Sequence, residues 1–416
     1  MRSPENLRPF DQERDLASTV RIWREVGWLP DSKDDADSLA HYLSGSRTLV
    51  AEVDGSAECI VIASPGTFRY LHEDLKMAAV TGVVTGHTVR KRGLAKRLTS
   101  RLLAEETAAG AEIAVLSFFE QGYYDQLGFG NGPYEHLIQF DPAMLDVPDI
   151  FRSPSRIGND DWAAVHQAMC SHQRVHGNCI LHPAGWVRAE MIWCKNPVGL
   201  GYHDAENGAL SHFVHGTNED EAGPLKIRMM AWQNETQLLE LLCLLRSLGD
   251  QLRSVHMLEP HRLQIQDFIK HPVRERMVTK RSPHEHRILA MAPWQARILN
   301  LPACIARTHL DTTRPVRFNL ELTDPISSHL ADHTSWTGCQ DSWILTLGPE
   351  SEIRSGTDRS LPTLHADIGA FTRLWNGSKG PHMLALQAGF SAPESLLDAL
   401  AEAFAHMPTP YLHWSF

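Results

Sequence analysis

Paired cysteines are the first thing this sequence lacks. Its 416 residues include seven cysteines, an odd number, with no CxxC pair among them. That pattern excludes a disulfide framework and fits reduced thiols in a cytoplasm. Long hydrophobic runs are missing too. None reaches the roughly 20 residues that cross a bilayer, and the opening MRSPENLRPFDQERD has no apolar core like that of a signal peptide. A cytoplasmic protein without a membrane partner is expected. Positive charge is in the minority, with 39 Lys and Arg against 50 Asp and Glu and a formal charge of −11. This balance argues against a nucleic-acid partner and is compatible with a cationic substrate.

What is present is ordinary globular material, 43% hydrophobic and 21% charged, in a chain long enough for two or three domains. The stretch from Met77 to Phe129 organises it. Ala78 to Thr85 are small or β-branched, as in a buried strand. The loop Arg90-Lys91-Arg92-Gly93-Leu94-Ala95 follows. A helical run comes next, with Leu94, Leu98 and Leu102 on one face, and then a second apolar run, Ile113 to Phe119. A helix N-terminus offers unpaired N–H groups and the positive end of the helix dipole. Gly93 and Ala95 keep that end bare, and three cations lie beside it. The loop therefore reads either as a pyrophosphate site or as a plain basic turn.

Arg90, Gly93 and Ala95 fill the three defined positions of R-x-x-G-x-A, and the segment resembles the coenzyme A signature of GCN5-related N-acetyltransferases, the GNAT family. Arg47 to Glu52 followed by Asp54-Gly55 is similar to the family's first hairpin, and Gly122-Tyr123-Tyr124-Asp125-Gln126-Leu127-Gly128-Phe129 resembles its late Y-x-x-x-G-F segment. The resemblance covers about the first 140 residues. It implies acetyl-CoA as co-substrate. Val83, Val84 and Thr85 would pair with the pantetheine arm, and Arg90, Lys91, Arg92, Gly93, Leu94, Ala95 and Lys96 would form the pyrophosphate loop. Phe119 and Glu120 would lie beside the arm. His87 stands where a proline is common in that loop.

Residues 15–29 read as an amphipathic helix, followed by a polar connection at 31–35. In a GNAT fold this region walls the acceptor site, so Trp23, Trp28, Asp34 and Asp35 are candidates to touch an amine; packing and solvation are the plainer alternatives. Residues 47–53, 59–63 and 78–85 read as strands, with a turn at Pro65-Gly66. His136–Phe140 reads as the last strand of the first lobe. Beyond it, 160–170 reads as a helix, and 186–193, 198–203, 209–215 and 226–232 as strands. A leucine-rich helix at 238–248 comes next. This repeats the strand–helix order, with Gln233-Asn234-Glu235-Thr236 in place of the basic loop, so no pyrophosphate is expected there. His166, Cys170, His172, His176 and Cys179 include zinc-ligand types, but their spacing fits no zinc pattern, and no metal is expected. His284-Glu285-His286 is equally short of ligands. Residues 317–322 and 342–346 read as strands, 367–375 and 393–407 as helices.

The expected architecture is mixed α/β: a GNAT lobe at 1–143, a degenerate second GNAT lobe at 144–300, and a part at 301–416 similar to a sterol-carrier-protein-like α/β domain. This order resembles the Eis (enhanced intracellular survival) acetyltransferase family, whose members acetylate amines, aminoglycosides among them, and assemble as hexamers. The ending Trp414-Ser415-Phe416 agrees with it. The resemblance implies an N-acetyltransferase acting on a small-molecule amine, with Tyr124 as the acid and the carboxylate of Phe416 as the base. Tyr123 is the neighbour to be told apart from Tyr124, and alternation along the segment puts the two on different faces. His413 is a rival base. Protein lysine acetylation, or carriage of an apolar ligand by the last part, are the alternatives.

Overall fold

The computed structural model describes residues 5–29, 33–118, 120, 122–149, 152–272, 282, 285–330 and 335–416, with the backbone alone at 33–35. Phe119 and His284, and the side chains of Asp34 and Asp35, lie outside the described residues.

The first segment begins with strand β1 (Glu5–Pro9), helices α1 (Gln12–Glu25) and α2 (Lys33–Leu43), and strands β2 (Arg47–Val53), β3 (Ser56–Tyr70) and β4 (Glu73–Thr85). Helix α3 (Leu94–Ala108) and strands β5 (Ile113–Ser117) and β6 (Gly130–Asn131) follow. Asp11 caps α1 by accepting the Arg14 N–H at 3.0 Å. Helix α3 packs on one face of the sheet. Its Leu98, Leu102 and Leu103 are fully buried among Leu49, Val61, Val80 and Leu116, and each such burial contributes about 1.5–3 kcal/mol. The opposite face meets α1 and α2 through Ile22, Trp23 and Leu39.

The middle of the chain supplies β7 (Glu135–Phe140), β8 (Ser155–Arg156), α4 (Trp162–Cys170), β9 (Cys179–Leu181), α5 (Ala184–Trp193), β10 (Pro197–His203), β11 (Leu210–Asn218), β12 (Leu225–Ala231), α6 (Glu235–Ser247), β13 (Val255–Leu258), β14 (Arg287–Met291) and β15 (Trp294–Ile298). A second sheet runs β14-β7-β13-β12-β11-β10-β8, while the first runs β1-β2-β3-β4-β5-β15-β6 with β9 added to β3. Two strands thus change places. His136–Phe140 does not close the first sheet; it pairs with β13 and β14 in the second. In return β15 pairs with β5 in the first.

Two further expectations are corrected. Residues 186–193 are helical, not a strand: Trp186, Val187 and Met191 are buried at one-, four- and five-residue intervals, a helical spacing. Pro65-Gly66 lies inside β3, not at a turn. There β2 has ended, at the Arg47–Ala63 pair, and β9 begins at Gly66. The ladder therefore asks no N–H of Pro65, which a proline could not give.

The last segment contains α7 (Leu301–Ala306), β16 (Val316–Thr323), β17 (Asp341–Leu347), β18 (Glu352–Ser355), β19 (Thr363–Asp367), α8 (Ile368–Trp375), α9 (Pro381–Leu384), β20 (Phe390–Ser391) and α10 (Glu394–Ala403). Its sheet runs β18-β17-β16-β19-β20. The apolar stripe of α10, Leu396, Leu397, Leu400 and Ala403, is buried in the core. All seven cysteines are free thiols. Among the described residues no helix is long and apolar enough to cross a membrane.

Candidate active site

Strands β4 and β5 are parallel neighbours for three residues only, Met77–Ala79 against Ile113–Val115. Beyond Ala79, β4 continues to Thr85 with β3 on one side and, among the described residues, no strand on the other. Its backbone groups on that side pair with no strand of the described residues. A bulge sits in this free length: Ile62 pairs with Thr81 and Ile60 with Val84, so two residues oppose one. Gly82 makes the bulge possible. Its φ is +59°, and a Cβ there would stand 2.5 Å from Ile62 Cδ1.

The mouth of the gap is the start of α3. Gly93, the N-cap, is left-handed (φ +74°, ψ 12°), and no side chain caps the helix. A Cβ at Gly93 would meet nothing within 4 Å, so the space above the first-turn amides is open. A cleft of about 840 Å³ joins these features, lined by Val83, Val84, Thr85, the whole run Arg90 to Lys96, Glu120, Tyr123 and Tyr124. Arg92 is tied to Glu5 at 2.6 Å, and Lys96 bonds Gln126. Arg90 and Lys91 have no charged partner among the described residues.

Tyr123 and Tyr124 both line the cleft, which corrects the expectation that they face opposite ways. The segment is not a strand. Tyr124–Leu127 is a 3₁₀ turn, and the two rings meet edge to face at 4.8 Å. Tyr124 is 9% exposed, burial pushes its phenol up to about 12, and its hydroxyl has no partner among the described residues.

The turn is clamped from below by residues that sequence reasoning missed. Gln295 Nε2 donates to Asp125 at 2.6 Å, and Arg297 Nη1 donates to the Leu127 carbonyl. Arg297 also pairs with Asp324 at 2.7 Å, both side chains at zero exposure. Gly128 (φ +77°) lies over this pair, where a Cβ would stand 2.5 Å from Ile368 Cγ2 and 3.0 Å from Arg297 Nη1. One signal was available: an arginine inside the apolar run Trp294–Leu299 must be paired if buried.

From the end of α1 and the residues after it, Glu25, Val26 and Trp28 also line the cleft. Glu25 was also missed. It accepts the His87 N–H at 3.0 Å and the Arg21 guanidinium at 2.6 Å, and these hold its carboxyl below the usual range. Trp23 is buried and does not line the cleft. It joins Trp28 (5.2 Å), Tyr42 (5.4 Å) and Trp193 (5.8 Å) in an aromatic wall. Tyr42 meets Trp186 at 6.0 Å, and Trp186 meets Trp414 at 6.0 Å, so the C-terminal tail adjoins the far end of that wall. Phe416 is partly buried against the same core and is not among the cleft-lining residues. Nor is His413, which stacks on His172 at 4.2 Å; burial, then His172 and Arg174, hold its imidazole well below its usual range.

The second sheet repeats the splay without the loop. β12 and β13 pair in parallel at two positions, and α6 starts at Asn234, whose side chain accepts the Gln237 N–H at 3.0 Å. That helix end is occupied by its own cap. His166, Cys170, His172, His176 and Cys179 do not converge. His166 bonds the Leu181 carbonyl, His176 that of Asn376, and Cys179 that of Trp414. Among the described residues the group of potential ligands that does converge is His382, Glu394 and Asp398, all exposed.

Residues 8–132 match the family model for the acetyltransferase (GNAT) domain. No curated protein sequence matches the chain. Among solved structures, a probable N-acyltransferase from Enterococcus faecalis superposes with TM-score 0.79 at 15% identity, covering all of both chains. A GCN5-related N-acetyltransferase from Kribbella flavida gives 0.75 at 19% identity, over 100% of this chain and 99% of its own. Eis1 from Mycobacterium abscessus gives 0.74 at 15%, over 99% and 100%. The match to the acetyltransferase (GNAT) domain thus covers the first part of the chain, and the chain as a whole shares the fold of these structures, Eis1 among them.

Proposed function

We propose that this acetyltransferase moves the acetyl group of acetyl-CoA onto the amine of a small cationic substrate. The observation that carries the reading is the meeting, in one cleft, of a free β4 edge, an uncapped helix N-terminus beside Arg90 and Lys91, and Tyr124. The β4 edge at Val83–Thr85 would pair with the pantetheine arm, and the residues from Arg90 to Lys96 would hold the pyrophosphate. Phe119, outside the described residues, and Glu120 would lie beside the arm. In the transfer the neutral amine attacks the thioester carbon, the C–S bond breaks, and the coenzyme A thiolate takes a proton. Tyr124 is the proton donor. Its raised pKa keeps it protonated through the neutral range. Ionised Glu25 beside Trp28 favours an ammonium at the acceptor end.

The Phe416 carboxylate is the proposed base. The tail is fastened up to Trp414, with the Leu412 N–H on Glu135 at 2.9 Å and the Trp414 carbonyl on Cys179 Sγ. Its last two residues lie beyond those fastenings. A Gly-Ser extension is expected to lower kcat about 10²-fold or more, and Tyr124→Phe comparably, while acetyl-CoA affinity holds. Tyr123→Phe should be milder. Thiol release with aminoglycosides, polyamines, lysine peptides and arylamines is the assay. Normal turnover of the extended chain with an inactive His413→Ala variant would move the base to His413.

Self-association into a hexamer is part of the same reading. Edge strand β14 is exposed along its length, with Ile288, Leu289 and Met291 each more than a third accessible, and such edges are normally covered. Light scattering at micromolar concentration should find a hexamer, and Leu289→Lys a smaller species; a monomeric parent chain would remove this part.

A further inference from the structure

We propose a second binding site on this chain, for a small polyanion bearing phosphate or carboxylate groups, in a cavity that shares no residue with the cleft. The cavity measures about 430 Å³ and lies where the three segments meet, within the size range of small-ligand sites. The end of β3 brings Arg69, the connection after α4 brings Arg174, and the loop after β13 brings His261 and Arg262; His309 and His406 come from the last segment. Three guanidinium groups and their histidines thus line one hollow of a chain whose formal charge is −11. Folding has gathered guanidinium groups from positions 69, 174 and 262, which sequence-local charge balance does not explain.

Two carboxylates oppose the three guanidinium groups, one in the wall and one at its edge. Asp311 is the carboxylate in the wall. Asp74 sits outside it, bonded to Arg174 and 3.4 Å from Arg69. Among the described residues Arg262 pairs with no carboxylate. His309 donates from Nδ1 to the Pro349 carbonyl at 2.9 Å, which leaves its Nε2 without a hydrogen-bond partner among the described residues. Burial and then Arg262 hold the His261 imidazole below its usual range, and a bound anion would offset the repulsion from Arg262. The backbone is also unusual here. Arg262 (φ 61°), in the wall, adopts a left-handed conformation without being glycine, whereas Leu71 (φ 51°) does so as part of the two-residue turn between β3 and β4. Such strain gathers at ligand clamps, where surrounding structure imposes it.

The position has a structural consequence. Met407 and Pro408 line the cavity, and the chain then runs to Tyr411, whose N–H donates to the His176 carbonyl at 3.0 Å. An occupant would brace the root of the C-terminal tail from all three segments. The inference does not depend on the acetyl-transfer reading.

The test is calorimetric, on the full chain at fixed salt. Coenzyme A binding is measured first, so that failure of the cleft assignment is read separately. Pyrophosphate is then titrated into protein held in excess coenzyme A. One equivalent should bind, and Arg262→Ser, at an exposed position with no hydrogen bond or ion pair among the described residues, should weaken it about tenfold with unchanged melting of the free protein. Citrate in a parallel titration separates the sources. Binding of pyrophosphate alone assigns a phosphate ligand, and binding of both a general polyanion; either supports the site. No heat at millimolar pyrophosphate, or an affinity indifferent to Arg262→Ser, overturns it.

Discussion

The double variant Arg92→Glu, Gly93→Asp is expected to show no acetyl-CoA binding by calorimetry, where the parent chain binds one equivalent. The reason is positional. The left-handed Gly93 leaves the first-turn amides of α3 uncapped under open space. An aspartate there puts a negative charge beside those amides, where it would repel the phosphate that the proposed site would hold. The second change reverses a charge at the loop. Because Arg92 also holds Glu5 at 2.6 Å, that change puts two acids face to face and loosens β1. Gly93→Asp alone avoids this. Its left-handed backbone costs roughly 1–2 kcal/mol, so its melting temperature should fall by only a few degrees while affinity collapses. Retained affinity in the single variant, or two equivalents bound by the parent chain, would sink the cleft assignment. The second sheet predicts one equivalent, since Asn234 already caps α6.

Asp324→Ala should be the most destabilising substitution near the site. Arg297 and Asp324 are a fully buried pair at 2.7 Å, and Asp324 also accepts the N–H groups of Ile326 (3.1 Å) and Cys339 (2.9 Å). Removing the carboxylate strands a guanidinium at zero exposure and orphans two amides. Breaking one side of a buried pair costs about 3–5 kcal/mol, which a urea midpoint would read. Because Arg297 also holds the Leu127 carbonyl beneath the Tyr124 turn, acetyl transfer should fall further than the unfolded fraction accounts for. A loss below about 1 kcal/mol, typical of a surface pair, would mean that the pair is not holding the site.

The sequence by itself determined the features whose causes are local. The strand, basic loop and helix from Ala78 to Ala108 were legible because each signal lies within a few residues: β-branched strand, glycine at the helix start, leucines on one face. The cleft-lining run from Arg90 to Lys96 and the glycine-closed turn after Tyr124 follow from the same kind of signal. Only the tertiary structure decided which strands pair. Hydrophobic alternation marks a strand but does not name its partner, so β7 read as the last strand of the first lobe and was found in the second sheet, while β15, which the sequence reading did not mark, joins β5 in the first. That exchange is what brings Gln295 and Arg297 under the tyrosine turn. It is also why the last segment, through Asp324 and Ile368, touches Gly128. Helix α5 was missed because Trp186, Val187 and Ile192 have high strand propensity, and packing against α2 outweighed it. The polyanion cavity belongs to the same class. Its arginines are unremarkable where they stand in the chain, and only a fold that joins residues 69, 174 and 262 makes a site of them.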